Sequence, residues 1–139
     1  MIDITKIAYF AGIMDGEGSF YIGQAAKHPK SFNSRLYVVN TDILLINWLK
    51  TNFKGMIYSR KSKKNPHWKE KFEWISHKTD ILSICEMLLP YLIIKKEHAK
   101  VMINFRKTFD KKRGRSNGVP LKVHYKRLHL RDELRKLNK

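Results

Sequence analysis

The sequence predicts an α+β fold, because segments with helical spacing of apolar residues alternate with short runs rich in aromatic and β-branched residues. Each of two strand pairs follows a helix, and a further helix comes at the C-terminal end. The predicted order is αββαββα with an appended helix. A length of 139 residues is typical of one domain, so we expect a single domain over residues 1–139.

The first helix is predicted over residues 6–15 and ends at a cluster of glycine and acidic residues. Thr5 precedes it and is the expected N-cap. The apolar residues that recur there at helical spacing are Ile7, Phe10, Ala11 and Met14. We therefore expect this face of the helix to be buried.

The strand pairs are predicted at 19–28 with 35–41, and at 56–63 with 69–77. A second helix lies between the pairs, over residues 42–53, and stops at a Lys-Gly pair that is typical of a helix C-terminus. In the first strand Phe20 and Ile22 indicate one buried face, which leaves Gln24 pointing inward. A bulge would shift the register there.

A third helix is predicted over 79–89 with Thr79 as its cap, and Pro90 separates it from a fourth over 93–109. These elements complete a core at about residues 5–107. A basic loop over 110–120 and a C-terminal helix at about 121–138 follow.

The charge balance is the strongest global signal. There are 29 Lys and Arg residues against 12 Asp and Glu, a net charge of +17 and a pI near 10.1. Nucleic acid, an anionic membrane and an acidic protein would all satisfy this surface. Residues 106–139 alone carry 13 Lys and Arg against 3 Asp and Glu, and we expect this region to contact phosphates.

Cys85 is the only cysteine, which excludes an intrachain disulfide and a zinc site built from cysteine pairs. The N-terminal residues show no basic segment followed by a long apolar run, and the most apolar stretch, 88–94, is short and contains Pro90. We expect a reducing intracellular location, in bacterial or phage cytoplasm or in an organelle, and no membrane partner.

One motif indicates a specific chemistry. Residues 10–20 read FAGIMDGEGSF and follow Tyr9. This segment resembles the LAGLIDADG signature of homing endonucleases, and the likeness in element order extends over about 5–107. The resemblance implies a curved, antiparallel four-stranded sheet per chain and a homodimer of the single-motif type. It also implies double-stranded DNA as partner, Mg²⁺ as cofactor, with Mn²⁺ or Ca²⁺ able to occupy the same sites, and a double-strand break at a long pseudo-palindromic site.

The small residues of the first helix support such pairing. Ala8, Gly12 and Gly16 lie four residues apart, so one stripe lacks bulk and a second helix can approach closely. Because the motif occurs once, its partner must be a second copy of the chain. The predicted dimer interface contains Ala8, Gly12, Asp15 and Gly16, and the resemblance gives Asp15 mainly a structural role at the helix end.

Glu17 is the predicted metal ligand. It comes where the helix ends, so its carboxylate and the free carbonyl of Gly16 offer hard oxygen ligands that suit Mg²⁺. Acidic residues at a helix C-terminus oppose the macrodipole, which favours a compensating cation. The alternative is a solvated polar helix end.

The resemblance adds Asn40 and Lys95 as catalytic candidates. Asn40 matches the place of a polar amide near the scissile phosphate, with capping of the second helix as its alternative role. Lys95 would steady phosphate charge or polarise the attacking water, although Lys96 is a rival in register and a solvated lysine is the alternative. Leu44 departs from relatives that carry an arginine at its position.

Alternation along the strands separates a core face from a DNA-reading face. Leu36, Val38 and Ile57 are expected in the core, as are Phe72 and Trp74. Lys69, Lys71 and Glu73 then turn toward DNA or form a solvated edge. The predicted DNA-binding residues are Tyr21, Lys27, Arg35, Tyr37, Tyr58, Arg60, Ser62, Lys69 and Lys71. Arg35 and Arg60 rank first for specificity, since arginine reads guanine bidentately.

Two other functions compete with cleavage. The first is a catalytically silent LAGLIDADG intron maturase or DNA-binding regulator, against which the retained Glu17 argues, since binding alone does not need that carboxylate. The second is a basic architectural or ribosome-associated protein, which leaves the small-residue stripe ending in Glu17 unexplained.

Overall fold

The computed structural model describes residues 2–109 and 119–139. The helices are α1 (Ile4–Glu17), α2 (Ile43–Phe53), α3 (Ile81–Leu88), α4 (Lys96–Arg106) and α5 (Leu121–Leu137), and the strands are β1 (Gly18–Gln24), β2 (Phe32–Asn40), β3 (Met56–Arg60) and β4 (Lys71–Ile75). This order confirms the predicted α+β fold with an appended helix. The basic loop predicted at 110–120 lies, over 110–118, outside the described residues.

The four strands form one antiparallel sheet in the order β1-β2-β4-β3. Pairing between β1 and β2 runs one to one from Gly18 opposite Val38 to Gln24 opposite Phe32. The bulge predicted near Gln24 is therefore wrong. The side-chain amide of Gln24 instead donates to the carbonyl of Pro29 at 2.7 Å, which explains how a polar side chain is accommodated at this end of the strand.

The core lies between the helices and one face of the sheet. Leu36, Val38 and Trp74 are completely buried, as predicted, whereas Ile57 and Phe72 are only partly buried. The ring of Phe10 on α1 lies 4.3 Å from that of Phe53 and 5.5 Å from that of Trp74, centre to centre. The opposite sheet face, called here the open face, carries exposed side chains that include Tyr21, Met56 and Tyr58.

Side-chain capping sets the start of the first two helices, and backbone conformation sets the end of the second. Asp3, not Thr5, is the N-cap of α1, because its carboxylate accepts from the backbone N–H of Thr5 at 3.0 Å. The prediction of Thr5 is wrong. Asp42 caps α2 through the N–H of Leu44, and α2 stops at Lys54 and Gly55, which both have positive φ.

Two predicted boundaries in the second half are wrong. Thr79 is not the cap of α3, since it lies within a 3₁₀ turn over Lys78–Asp80 that leads into the helix. The fourth helix begins at Lys96 rather than at residue 93, because the chain after Pro90 first makes a second 3₁₀ turn, Leu89–Tyr91, and an extended residue, Leu92.

Helix α5 confirms the predicted C-terminal helix and packs on α4 and β1. Leu130 and Leu134 are buried, Arg131 donates to the side-chain oxygen of Gln24, and the side-chain amide of Asn138 donates to the carbonyl of Phe20 at 3.1 Å. Within the described residues, every helix is too short or too polar to cross a membrane.

Candidate functional site

Glu17 is the last residue of α1, and its side chain is exposed at the junction with β1. The amide of Asn40, at the end of β2, donates to one oxygen of this carboxylate. The amide oxygen of Asn40 accepts from the N–H of Asp42 at 2.7 Å, so the same side chain also shapes the turn before α2. Asn40 therefore contacts Glu17 directly, while Asp42, and not Asn40, is the N-cap of α2.

Asp15 is turned toward the segment that precedes α4. Its carboxylate accepts the backbone N–H groups of Ile93, Ile94 and Lys95 at 2.9, 3.1 and 2.9 Å. These bonds satisfy donors just before a helix N-terminus, where a negative charge is also favoured by the helix dipole. Asp15 thus ties the end of α1 to the start of α4 within the chain.

Lys95 lies beside the end of α1, and none of its described hydrogen bonds is to Glu17. Its ammonium group donates to the carbonyl of Met14 at 2.8 Å and also to that of Gly18. A cation at the C-terminal end of α1 is stabilised by the negative end of the helix dipole. Burial lowers the pKa of Lys95, and the charge of Asp15 partly opposes this. Its register rival, Lys96, is exposed as the first residue of α4.

Two depressions flank the α1–β1 junction. One, of about 420 Å³, is lined by Glu17, Asn40 and Lys71 together with Val39 and Thr41. The other, of about 440 Å³, contains Lys95 and His98 beside the aromatic rings of Tyr21 and Tyr37. His98 is buried, its Nδ1 has no partner among the described residues, and burial lowers its pKa.

The predicted small-residue stripe of α1 lies on the surface. Ala8, Gly12 and Gly16 are exposed, and a Cβ added at either glycine would meet no atom within 4 Å. Two large side chains on the same helix, Ile4 and Tyr9, are 64% and 54% exposed. This helix therefore has an uncovered apolar side in addition to its buried one.

The open face of the sheet brings together most of the predicted DNA-binding residues. Tyr21 lies opposite Arg35, and Arg60 lies opposite Lys71. The guanidinium carbon of Arg35 is 4.6 Å from the ring centre of Tyr21 and 5.6 Å from that of Tyr37, so Arg35 is held by two cation–π contacts. Tyr58 and Arg60 are exposed on β3.

Three predicted residues lie in loops, because the strands are shorter than the sequence indicates. Lys27 and Lys69 are exposed beyond the ends of β1 and β4. Ser62 follows β3, and its hydroxyl accepts the N–H of Asn65 at 3.1 Å in the connecting turn. Their assignment to strand positions is wrong.

Glu73 differs most from its expected place. It is on the open face of β4, but only 4% exposed, and one of its oxygens lies 2.8 Å from Nη2 of Arg60. Sequence reasoning treated it as a solvated or DNA-facing charge. Glu73 is the only acidic residue within the four observed strands, but the longer fourth strand predicted at 69–77 also contains Glu70, so the sequence alone does not single it out.

The part of the chain that the structure describes does not by itself hold a complete set of metal ligands. Over residues 2–109 and 119–139, no three His, Cys, Asp or Glu side chains come close enough to hold an ion. The oxygens available at the α1–β1 junction are the exposed carboxylate of Glu17 and the carbonyls of the last helical turn, which are the hard ligands that Mg²⁺ prefers. Further ligands would have to come from beyond the described residues.

Comparison with known proteins identifies this architecture. No protein-family model and no curated protein sequence matches the chain. Solved structures do match. The homing endonuclease I-CvuI, in complex with the I-CreI target in the presence of Mg, superimposes with a TM-score of 0.71 at 21% identity, covering 96% of this chain and 82% of that one.

Two further structures agree. The archaeal intron-encoded homing endonuclease I-Vdi141I, complexed with DNA, gives a TM-score of 0.75 at 14% identity and covers 97% of this chain and 85% of its own. The LAGLIDADG homing endonuclease I-GzeII, in complex with its DNA target, gives 0.68 at 19% identity and covers 94% of this chain but 44% of its own. The chain therefore has the fold of the LAGLIDADG homing endonucleases.

Proposed function

We propose that the chain is a site-specific homing endonuclease that acts as a homodimer on double-stranded DNA. It would make a double-strand break in a long pseudo-palindromic site by Mg²⁺-dependent hydrolysis of one phosphodiester bond on each strand. The observation that carries this proposal is the exposed Glu17, at the end of a helix whose small-residue face is uncovered, in a chain with this fold and a net charge of +17.

The uncovered face of α1 supports the homodimer. Gly12 and Gly16 have open space where a Cβ would stand, so a second helix can approach the backbone there. A symmetric contact places the same residues of both copies face to face. In such a dimer Ala8, Gly12 and Gly16 would lie at the interface, and the two Glu17 residues would come near each other across the symmetry axis.

The chemistry of the donor groups supports a divalent cation. One oxygen of Glu17 accepts from Asn40, and the described residues leave its other oxygen without a bond. Two Glu17 carboxylates, the carbonyls of Gly16 and phosphate oxygens from DNA would together complete an oxygen ligand set for Mg²⁺, Mn²⁺ or Ca²⁺. The bound ion would supply Lewis-acid stabilisation of phosphate charge and activation of water.

The remaining site residues would orient the Glu17 carboxylate and neutralise phosphate charge. Asn40 would hold the Glu17 carboxylate in place through its amide, while its own position is set by the N–H of Asp42. Lys95 would add positive charge near the scissile phosphate from beside the end of α1. The open face, with Tyr21, Arg35 and Tyr37 at one side, would contact the duplex, and cations in the loops would contact phosphates.

The substitution Glu17→Gln tests the cleavage proposal. We expect the variant to fold and bind DNA but to cleave at least about a hundredfold more slowly, since it removes an anionic ligand from the ion that stabilises phosphate charge. The assay supplies duplex DNA carrying candidate insertion sites with Mg²⁺, and the same reaction with EDTA. Glu86→Gln, at an exposed carboxylate on α3, is the matched control and should cleave normally.

Three results would contradict parts of the proposal. Cleavage that survives Glu17→Gln would contradict the role of this carboxylate. Equal binding of one site by both proteins without any cleavage would favour a maturase or regulator. Sedimentation of the active protein as a monomer would contradict the shared site.

A further inference from the structure

A depression on the open face contains unpaired polar atoms. It has a volume of about 480 Å³ and lies where β2, β3 and β4 meet the segment that follows β4. Three of its lining residues, Arg35, Glu73 and Ser76, each have a buried nitrogen or oxygen without a hydrogen-bond partner among the described residues. Unsatisfied buried polar atoms are costly in a native protein, so water or a bound group is needed to complete the bonding of this cluster.

Glu73 is the unusual member of this cluster. Its side chain is 5% exposed, whereas that of Arg60, 2.8 Å away, is 71% exposed. Oε2 of Glu73 lies at ion-pair distance from Nη2 of Arg60, so the buried charge of the carboxylate is balanced by this guanidinium. The carboxylate thus lies beneath an arginine whose other nitrogens face outward.

The cross-strand neighbours show what the carboxylate does to local charge. Arg60 lies directly opposite Lys71, and two cations so placed repel each other. Glu73 lies two residues after Lys71, on the same face of β4, and is paired with Tyr58. Its negative charge therefore compensates Arg60, while the described contacts give Lys71 no acidic partner.

We propose that Glu73 is a specificity-determining positioning residue, which fixes the guanidinium of Arg60 so that its outward N–H groups read a guanine in the major groove. The inference rests on the proposed function, since it requires the open face to meet duplex DNA. A compensated arginine attracts phosphate weakly but retains its planar fork of donors, which matches the O6 and N7 acceptors of guanine. Lys71, without compensation, contacts phosphate instead.

A phosphate contact by Arg60 predicts the opposite behaviour. In that case the buried carboxylate only weakens attraction to DNA, and its removal strengthens binding to every sequence alike. The base profile of binding, rather than total affinity, therefore distinguishes the two roles.

The experiment compares base preferences of full-length proteins. The wild type, Glu73→Gln, Arg60→Lys and the double variant each select duplexes from a randomised DNA pool, with Ca²⁺ present. Glu73→Gln keeps the shape of the side chain and removes its charge. Glu70→Gln, which changes an exposed acid in the loop before β4, is the matched control.

We expect the wild type to select a guanine at one fixed position of its site. In Glu73→Gln the preference for that guanine should fall about tenfold, while the base preferences at the other positions should stay unchanged. Arg60→Lys should relax the same position, and the double variant should relax it no further, since both residues act through one contact. Glu70→Gln should retain the profile.

An unchanged profile in Glu73→Gln, or a uniform change at all sequences, would overturn this inference alone. If the wild type enriches no duplex, the proposed function fails together with it. The two failures are therefore distinguishable by whether the wild type selects a site.

Discussion

The two sides of α1 have opposite surroundings in the same chain. Phe10, Ala11 and Met14 are completely buried, whereas Gly12 and Gly16 face open space. Ala11 and Gly12 are neighbours in the chain, yet the first belongs to the core and the second to the exposed surface. A helix that is apolar beyond one stripe is suited to burial on more than one side. The difference teaches that burial in the core accounts for four of the fourteen residues of this helix and leaves its exposed apolar side unexplained.

The largest expected effect comes from placing a bulky polar side chain on the uncovered side. Gly12→Gln should leave the fold intact, because no atom lies within 4 Å of the new Cβ and helix propensity improves. If the chain acts as the proposed homodimeric endonuclease, the dimer should be lost and cleavage should fall at least about a hundredfold. Sedimentation and cleavage assays measure the two effects.

The matched control is the same substitution one residue earlier. Ala11→Gln buries an amide in the core beside Phe10 and should unfold or strongly destabilise the chain. If Gly12→Gln unfolds the protein to a similar extent, the distinction between the two sides is wrong.

A moderate effect is expected at Asp15, which joins the end of α1 to the residues before α4. Asp15→Asn places an amide donor against three backbone N–H groups and should lower the free energy of unfolding by about 1–3 kcal/mol. Urea denaturation measures the change. Asp80→Asn is the control, since Asp80 makes no side-chain cap bond and should change stability by less than about 0.5 kcal/mol.

The smallest expected effect is a dependence of stability on pH, which comes from the buried His98 on α4. Burial lowers the pKa of His98 from 6.5, so below that pH the unfolded state binds a proton more readily than the folded state. The free energy of unfolding should therefore decline as the pH falls from 6.5 through the lowered pKa. His98→Gln should lack this component, and identical acid profiles for the two proteins would contradict it.

Local pattern predicted the elements well and their ends less well. Apolar spacing located all five helices, and alternation located the buried Leu36, Val38 and Trp74. The cap of α1 was missed because Asp3 and Thr5 both suit such a position, and only the backbone geometry selects Asp3. Similarly, nothing local fixes where β4 begins, so Lys69 was assigned to a strand.

The partners of site residues depend on distant contacts. Glu17 and Asn40 were both predicted as candidates, yet the bond between them joins residues 23 positions apart in the chain. The bond from Asp15 to the segment before α4 spans nearly 80 residues. Such contacts arise from tertiary packing, which a single sequence does not specify residue by residue.

The position of α5 bears on whether another molecule can add a strand to the sheet. β1 is an edge of the sheet, and an uncovered edge is a template for strand addition by another molecule. The amide of Asn138 occupies the carbonyl of Phe20 on that edge, and Arg131 holds the end of the strand through Gln24. We therefore expect the appended helix to hinder strand addition at β1, while the opposite edge, β3, is limited to five residues and ends in Arg60.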